Sequence, residues 1–336
     1  MFALGHPGPR KITDDDAFVE HEASRPTPDD TDVLVKVAYS GINSIDAKLR
    51  GIGDSNSSDP RILGFEGSGW VEEVGSRGGD LRPGDRVAWL GQIDRAGSNA
   101  GFTLVNKHLV KAVPENVSLE DAAAVPLSFL TAFGLLFGQM GISEGQEGTL
   151  LIINGAGSVG SAAIQLALLH TKMTVIATAS RPETVDWCRA MGAHKVISHR
   201  EDLVEGLRAS GYKSVDAVAS LSNTQANFSD ILKCLTPHGT VGVIDEPEAL
   251  DTKRLRVKAH RLAYEGVFVT ALMQPDYLPR QGADLERILG WMSEGKLRSI
   301  RNAGSYHASS ESLFQIHGIL EAQKSIGKIV MKISDA

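Results

Sequence analysis

Cysteine is scarce in this chain of 336 residues, which contains only Cys188 and Cys234. Neither has a second cysteine or a histidine at metal-ligand spacing, and two thiols cannot build a four-cysteine zinc lobe. Both fall in predicted helices. We therefore expect them to be buried packing residues of a reduced, cytoplasmic protein.

Positive charge and long apolar runs are also lacking. The formal net charge is −7, so the chain has no general basic surface for nucleic acid. No apolar run reaches the length of a membrane span, and the first ten residues lack the charged start and apolar core of a signal peptide. We expect a small-molecule substrate as the partner, with no nucleic acid and no membrane.

Two kinds of pattern divide the chain near residue 120. Before it, short alternating segments separated by glycine and proline turns indicate a compact, β-rich, barrel-like domain. After it, strands alternate with helices, which is typical of a doubly wound parallel sheet and of the α/β class. The predicted strands are 149–154, 173–178, 194–197, 215–219, 240–244 and 265–270, and the predicted helices are 158–170, 182–191, 224–235, 283–295 and 310–323.

A glycine-rich turn follows the first of these strands. Gly155 permits a tight turn, Gly157 lets a pyrophosphate approach the backbone, and Gly160 lets the next helix pack close to the strand. The helix start, with Ser158 and Val159, offers N–H groups and a positive dipole end to phosphates. A purely structural turn is the alternative, but the strand before and the helix after favour a dinucleotide.

The end of the next strand indicates which dinucleotide. NAD sites carry an acidic residue about 20 residues past the glycines, bonded to the ribose 2′-hydroxyl. Here Ser180 and Arg181 occupy that place, and the first carboxylate is Glu183, inside the next helix. An arginine fork matches the oxygens of a 2′-phosphate. The sequence therefore predicts NADPH; the competing interpretation is an exposed arginine near a helix start.

Taken together, these and other stretches resemble the medium-chain dehydrogenase/reductase superfamily, in its zinc-free quinone oxidoreductase branch. Two stretches are most similar to the subgroup of zinc-type alcohol-dehydrogenase-like proteins, namely residues 95–102 and 177–184. The other matching stretches are residues 37–50, 63–69, 81–87, 122–133 and 327–330.

The resemblance implies a domain organisation. A GroES-like catalytic domain would span 1–121, a Rossmann NADPH-binding domain 122–270, and a C-terminal return to the catalytic domain 271–336. Nicotinamide and substrate would meet in a cleft between the domains. A homodimer would form by pairing the last Rossmann strand, near Glu265, across a two-fold axis, which would cover an apolar sheet edge.

The resemblance also bears on zinc. The superfamily's zinc members place a cysteine where this chain has Asn43, and a histidine where it has Phe65, just before Glu66. Phenylalanine cannot bind a metal, an asparagine amide is a poor zinc ligand, and one carboxylate is not a site. We therefore predict no zinc, and with it the loss of the Lewis acid that assists alcohol oxidation.

Further site residues follow from the resemblance and from the strand ends. Asn43 is expected to bond the ribose or a substrate carbonyl, Lys48 to stabilise an enolate, and Thr131 to contact the nicotinamide end. The alternatives are a turn residue, a solvent-exposed lysine and a helix threonine bonded to its own backbone. The other expected cofactor contacts are Ser44, Asp46, His199, Leu221, Ser222, Ile244, Asp245 and Lys328.

The predicted function is an NADPH-dependent reductase of quinones or α,β-unsaturated carbonyls that works by direct hydride transfer without zinc. Such acceptors need little acid assistance, because the negative charge spreads over a conjugated system. Two alternatives stay open: an enoyl reductase of a biosynthetic pathway, and an NADPH-binding protein with little turnover.

Overall fold

The computed structural model describes residues 1–52, 59–198, 200, 202–301 and 304–335. The chain divides into two compact units, one formed by Met1–Leu127 with Phe268–Ala336 and the other by Ser128–Val267. The strands are β1 (Phe2–His6), β2 (Val19–Glu22), β3 (Asp32–Ile42), β4 (Arg61–Ile62), β5 (Glu66–Val74), β6 (Arg86–Leu90), β7 (Phe102–Asn106), β8 (Val110–Ala112), β9 (Thr149–Ile153), β10 (Thr174–Thr178), β11 (Lys195–Ile197), β12 (Val215–Ser220), β13 (Leu235–Val243), β14 (Arg261–Tyr264), β15 (Tyr306–His307) and β16 (Ile329–Lys332).

The helices alternate with the strands mainly in the second unit. A π-helical stretch, Gly134–Gln139, directly continues one of them, and two short 3₁₀ helices cover Thr252–Lys258 and Pro275–Tyr277. The α-helices are α1 (Ser44–Arg50), α2 (Leu119–Ala122), α3 (Pro126–Phe133), α4 (Ser158–His170), α5 (Pro182–Ala190), α6 (Leu203–Ala209), α7 (Thr224–Cys234), α8 (Val269–Met273), α9 (Leu278–Ser293) and α10 (Ser310–Glu321). Among the described residues, no helix is both long and apolar enough to cross a membrane.

Strand β3 is the centre of the first unit. It is almost wholly buried and pairs antiparallel with β5, β7 and β16. The larger sheet runs β15-β16-β3-β5-β6-β8, with β7 also on β3, and a smaller sheet runs β2-β1-β4. Valines 33, 35 and 37 of β3 pack with Trp89 of β6 in one apolar core. Because β16 pairs with β3, the C-terminal strand of the chain lies in the sheet of the N-terminal segment.

The second unit is a six-stranded parallel sheet in the order β11-β10-β9-β12-β13-β14. Counted from β9, this is the order 3-2-1-4-5-6 of a dinucleotide-binding sheet, which reverses between its first and fourth strands. Its central strands, β9, β10 and β12, are mostly apolar and buried, as is typical of a parallel sheet that helices cover on both faces. The predicted α/β class, with a β-rich unit and a doubly wound parallel sheet, is confirmed.

The last predicted strand of this sheet is wrong in position. The observed edge strand is β14, Arg261–Tyr264, whereas residues 265–270 leave the sheet and enter α8. The run from Val267 to Val269 is apolar and contains two β-branched valines, a pattern that is typical of a strand. The true strand carries an arginine and a tyrosine at its ends and is only half buried, which gives it a weak hydrophobic pattern.

The two cysteines are buried, as predicted. Cys188 on α5 and Cys234 on α7 are each at most 1% exposed. Burial raises the pKa of both thiols to about 12, so neither is a thiolate at neutral pH. Both side chains pack against the sheet, and neither thiol acts as a nucleophile.

Candidate functional site

The glycine turn lies at the carboxyl end of β9 and leads directly into α4. Gly157 is the residue that precedes the helix; no side chain caps the helix there, and its first turn has no acidic residue. The first intrahelical bond runs from the Ser161 amide to the Gly157 carbonyl, at 2.8 Å. The amides of residues 158–160 therefore have no helix carbonyl to bond, and they point at the same edge of the sheet.

Close packing explains the third glycine of this turn. A Cβ on Gly160 would lie 2.3 Å from the carbonyl oxygen of Asn154 and 2.8 Å from the Cα of Gly155. Only glycine therefore allows α4 to begin this close to the turn. Asn154 itself adopts a left-handed conformation, with φ of 64°, which completes the reversal of the chain. The turn has the shape of a phosphate cradle.

The end of the neighbouring strand β10 carries Ser180 and Arg181, and Arg181 precedes the first turn of α5. The Nε of Arg181 lies 2.7 Å from a carboxylate oxygen of Glu183, two residues further on. The arginine side chain is 29% exposed. The Arg181 guanidinium thus lies just before α5 and is in contact with Glu183, in the first turn of that helix. Its contact with a ribose phosphate stays a prediction.

The other strand ends of this unit bring further predicted residues to the same edge. Leu221 and Ser222 follow β12, and Ile244 and Asp245 follow β13. The carboxylate of Asp245 accepts hydrogen bonds from the backbone amide, at 2.8 Å, and from the hydroxyl of Thr224. Asp245 therefore caps α7, and its predicted contact with a cofactor stays a prediction.

Two more predictions concern this unit. Thr131 lies on α3 and is 6% exposed. His199, expected beside the ribose phosphate, lies outside the described residues.

The first unit holds a buried polar cluster, which we call the Lys328 cluster and define by Asn43, Glu66 and Lys328. The Lys328 ammonium donates to the Asn43 amide oxygen and forms an ion pair with the Glu66 carboxylate. The Asn43 amide nitrogen donates to the same carboxylate at 2.8 Å. The second Glu66 oxygen accepts from the Leu127 amide, also at 2.8 Å. Each of the three side chains is at most 6% exposed.

This arrangement engages both Asn43 and Lys328 within the fold. The Asn43 side chain donates to Glu66 and to the Gly41 carbonyl and accepts from Lys328, so both ends of its amide are engaged within the fold. Lys328 was expected to reach cofactor phosphates, but its side chain is only 1% exposed. The structure gives both residues a place in the interior of the unit.

Asp46 lies beside the cluster at the start of α1. Its two oxygens accept from the backbone amides of Asn43 and Gly64, both at 2.8 Å, and it is fully buried. Burial raises the pKa of Asp46 to about 6, even though the two amide bonds favour its ionised form. Asp46 thus bonds backbone groups of its own unit, and its contact with a cofactor stays a prediction. Ser44 and Lys48, on the same helix, are exposed.

The donor atoms at the zinc positions of related proteins do not fit a metal. Phe65 is fully buried and packs edge-to-face on Phe268, with ring centroids 5.8 Å apart. Asn43 and Glu66 are held by the Lys328 ammonium, which already compensates the carboxylate. Across the described part of the chain, no three histidine, cysteine, aspartate or glutamate side chains are grouped as a metal site would need.

The sequence did not reveal the central role of Glu66. A signal was present, because this carboxylate is kept in the segment Gly64-Phe65-Glu66 while the potential metal ligands around it are absent. A carboxylate in a buried strand needs a cation or several donors, and no nearby residue in the sequence supplies a cation. Its partner lies 262 residues further along the chain.

Comparison with known proteins agrees with this architecture. Residues 29–114 match the model of the alcohol dehydrogenase GroES-like domain, and residues 158–279 match that of the zinc-binding dehydrogenase family. The chain is similar to the zinc-type alcohol dehydrogenase-like protein of Staphylococcus aureus strain MSSA476, with 34% identity over 99% of this chain and 100% of that protein.

Two further similar proteins are named quinone oxidoreductases. The quinone oxidoreductase of Sus scrofa is 29% identical, over 73% of this chain and 71% of that protein. The crystal structure of the Escherichia coli quinone oxidoreductase in complex with NADPH superposes with a TM-score of 0.84 at 22% identity, over 99% of this chain and 100% of that one. At this identity the second likeness concerns the fold alone.

Proposed function

Because this chain belongs to the medium-chain dehydrogenase/reductase superfamily of oxidoreductases, we propose that it is an NADPH-dependent reductase of quinones or α,β-unsaturated carbonyls that needs no zinc. The observation that carries the proposal is the Lys328 cluster. A lysine ammonium, and no metal ligand, compensates the one carboxylate retained at the zinc positions.

The dinucleotide part of the proposal is supported by the second unit. Three features suit a pyrophosphate: the uncapped start of α4, the close packing of α4 on the turn at Gly160, and the 3-2-1-4-5-6 strand order. The residues that would hold it are the backbone amides of 158–160. The bound cofactor would supply a hydride, and the protein would supply its orientation and a dry environment.

NADPH rather than NADH is supported by the end of β10. No carboxylate stands there to accept a bond from a ribose 2′-hydroxyl, and Ser180 with Arg181 offers a hydroxyl and a guanidinium. Glu183 competes for that guanidinium. We expect the doubly charged 2′-phosphate to compete successfully, because charge-assisted bonds to a phosphate are stronger than an exposed carboxylate pair.

The class of acceptor follows from the absence of fitting zinc ligands. An alcohol substrate needs a Lewis acid to hold its developing alkoxide, and the residues at that place cannot bind one. A quinone or a conjugated carbonyl delocalises the charge it gains with the hydride. Its proton can come from water or from an exposed group, for which Ser44 and Lys48 are candidates.

The test is to follow NADPH oxidation at 340 nm against quinones, enones, a trans-2-enoyl thioester and simple aldehydes, with and without a chelator. We expect turnover of one conjugated class, unchanged by the chelator, and slower turnover with NADH. Preference for the thioester would favour a biosynthetic enoyl reductase. Tight NADPH binding without oxidation by any acceptor would favour a binding protein, and chelator-sensitive alcohol oxidation would refute the zinc-free assignment.

We also propose that the protein is a homodimer through the edge of the Rossmann sheet. Among the described strands, β14 pairs with β13 alone, so its outer hydrogen-bonding groups face away from the sheet, and its Tyr264 is 49% exposed. An edge of this kind is normally covered. Light scattering after size exclusion should give twice the chain mass of 35.9 kDa; a monomer at micromolar concentration would contradict the proposal.

A further inference from the structure

Glu265 directly follows the sixth strand of the Rossmann sheet. The parallel register aligns the last residues of the central and outer strands in one row, Ile153, Ser220, Val243 and Tyr264. The Glu265 amide then bonds the Val243 carbonyl at 3.0 Å. Glu265 therefore lies at the same edge as the glycine turn, three strands away from it, in the half of the sheet formed by the fourth to sixth strands.

The strand order decides which half of a dinucleotide reaches this residue. The glycine turn after the first strand holds the pyrophosphate, and the second strand, with Arg181 beyond it, faces the adenosine ribose. The fourth to sixth strands must then receive the other mononucleotide, which carries the nicotinamide. Glu265 is the carboxylate at the end of the last of them.

The Glu265 carboxyl lies in a largely apolar environment that fits closely around it. A Cβ placed on Gly134, in the π-helical stretch, would lie 2.8 Å from the carboxyl carbon and about equally close to both oxygens. A glycine at this position therefore lets the carboxyl lie against the helix backbone. The Gln139 side chain, at the end of the same stretch, hydrogen-bonds the carboxylate. Burial nevertheless prevails and raises the pKa of Glu265 to about 7.

No charged group compensates this carboxyl among the described residues that pack on it. The stretch Gly134–Gln139 has no titratable side chain, and the His170 ring packs edge-on against the rings of Phe133 and Phe137. On the neighbouring strands, His238 of β13 and Arg261 of β14 lie towards the amino ends, away from this edge. Tyr264, the adjacent residue, is 49% exposed, and Asp245 at the end of β13 is bonded to Thr224.

We propose that Glu265 couples the redox state of the nicotinamide to a proton, with its carboxyl neutral beside the reduced ring and ionised beside the oxidised ring. The inference rests on the proposed binding of NADPH. The reduced ring is uncharged and leaves the desolvated carboxylate uncompensated, whereas the oxidised ring is a cation that favours the ionised carboxyl. The proton that Glu265 loses goes to the solvent, and no bond to the cofactor is made or broken.

The test is calorimetric titration of the whole protein with NADPH and with NADP⁺ at pH 7, in buffers with different ionisation enthalpies. The dependence of the heat on the buffer gives the protons taken up or released. Both cofactors carry the same 2′-phosphate, so its contribution cancels in the difference between them. With a pKa near 7, the carboxyl is about half protonated. We therefore expect the two titrations to differ by roughly half to one proton per chain.

Three variants locate the effect. Glu265→Gln should abolish the difference between the proton counts of the two cofactors. Gly134→Ala, which displaces the carboxyl, should reduce the difference while leaving Glu265 in place. Glu248→Gln, an exposed carboxylate in the loop after β13, should leave it unchanged.

The outcomes separate the two proposals. If neither cofactor binds, the proposed function fails, and the inference fails with it. If both bind and the wild type shows the same proton count for each, or if Glu265→Gln keeps the difference, Glu265 is not the coupled group. A difference that disappears in Glu265→Gln and persists in Glu248→Gln supports the inference.

Discussion

Replacing Lys328 with methionine removes one charge from the interior of the first unit and leaves the other behind. Methionine is similar in length to the lysine stem, so the packing of the chain around it changes little. The Glu66 carboxylate, fully buried, would keep its bonds from Asn43 and Leu127 and lose the cation that Lys328 supplies. Breaking a buried ion pair from one side costs about 3–5 kcal/mol.

The double variant Lys328→Met with Glu66→Gln tests whether this cost comes from the orphaned charge. A glutamine keeps an oxygen for the Leu127 amide but carries no charge to compensate. Replacing both members of a buried pair by neutral groups is often nearly neutral. We therefore expect the double variant to regain most of the loss, with a coupling energy of about 2–3 kcal/mol between the two positions.

Urea denaturation followed by tryptophan fluorescence measures how much stability each variant loses. Three of the four tryptophans, Trp70, Trp89 and Trp291, lie in the unit that holds the cluster. Lys328→Arg serves as the matched control, because it retains the charge while changing the shape of the donor. A single Lys328→Met variant that unfolds at the wild-type urea concentration would refute the buried pair. So would a double variant that is as unstable as the sum of its two parents.

Three further outcomes are expected. Gly160→Ala should abolish NADPH binding in a fluorescence titration, because its Cβ would lie 2.3 Å from a backbone oxygen; an unchanged Kd would exclude the turn as the phosphate site. Arg181→Ala should weaken NADPH binding about 10- to 100-fold, or roughly 1.5–3 kcal/mol, with little change in NADH binding. Glu183→Gln should strengthen NADPH binding several-fold. Equal losses of affinity for both cofactors would contradict the role of Arg181 in binding the 2′-phosphate. Burial raises the pKa of Glu265 from its usual 4.5 to about 7, so the folded state binds more protons than the unfolded state in this range and loses stability as the pH rises through it. The urea midpoint of Glu265→Gln should therefore approach that of the wild type near pH 5 and exceed it near pH 8, and parallel midpoints at both pH values would contradict the shift.

The parallel sheet was predictable because its signals are local. Each strand of the second unit is a short apolar run, and each helix begins within a few residues of a strand end. The glycine turn was predictable for the same reason, since the steric demand at Gly160 is set by a residue only six positions earlier. The edge strand was not, because β14 is covered on one side only and its sequence has no clear apolar face.

The Lys328 cluster could not be predicted, because it depends on the pairing of β16 with β3. That pairing brings residues 285 positions apart in sequence within hydrogen-bond distance. From the sequence, Lys328 has the pattern of a surface lysine at the start of a strand, and Asn43 that of a turn residue. Their roles follow from the register of two strands, which no local pattern encodes.

The Lys328 cluster also argues against a direct part for its ammonium in the proposed reaction. A metal at this place could exchange its water for a substrate oxygen, whereas an ammonium held by Glu66 and Asn43 has its donors directed at the protein. Moving that ammonium toward a substrate would leave the buried carboxylate uncompensated, at the cost of several kcal/mol discussed above. Lys328 thus stabilises the fold around the position that holds a catalytic metal in zinc-containing relatives. On the proposed function, we therefore expect an acceptor that a hydride can reduce without strong electrophilic assistance.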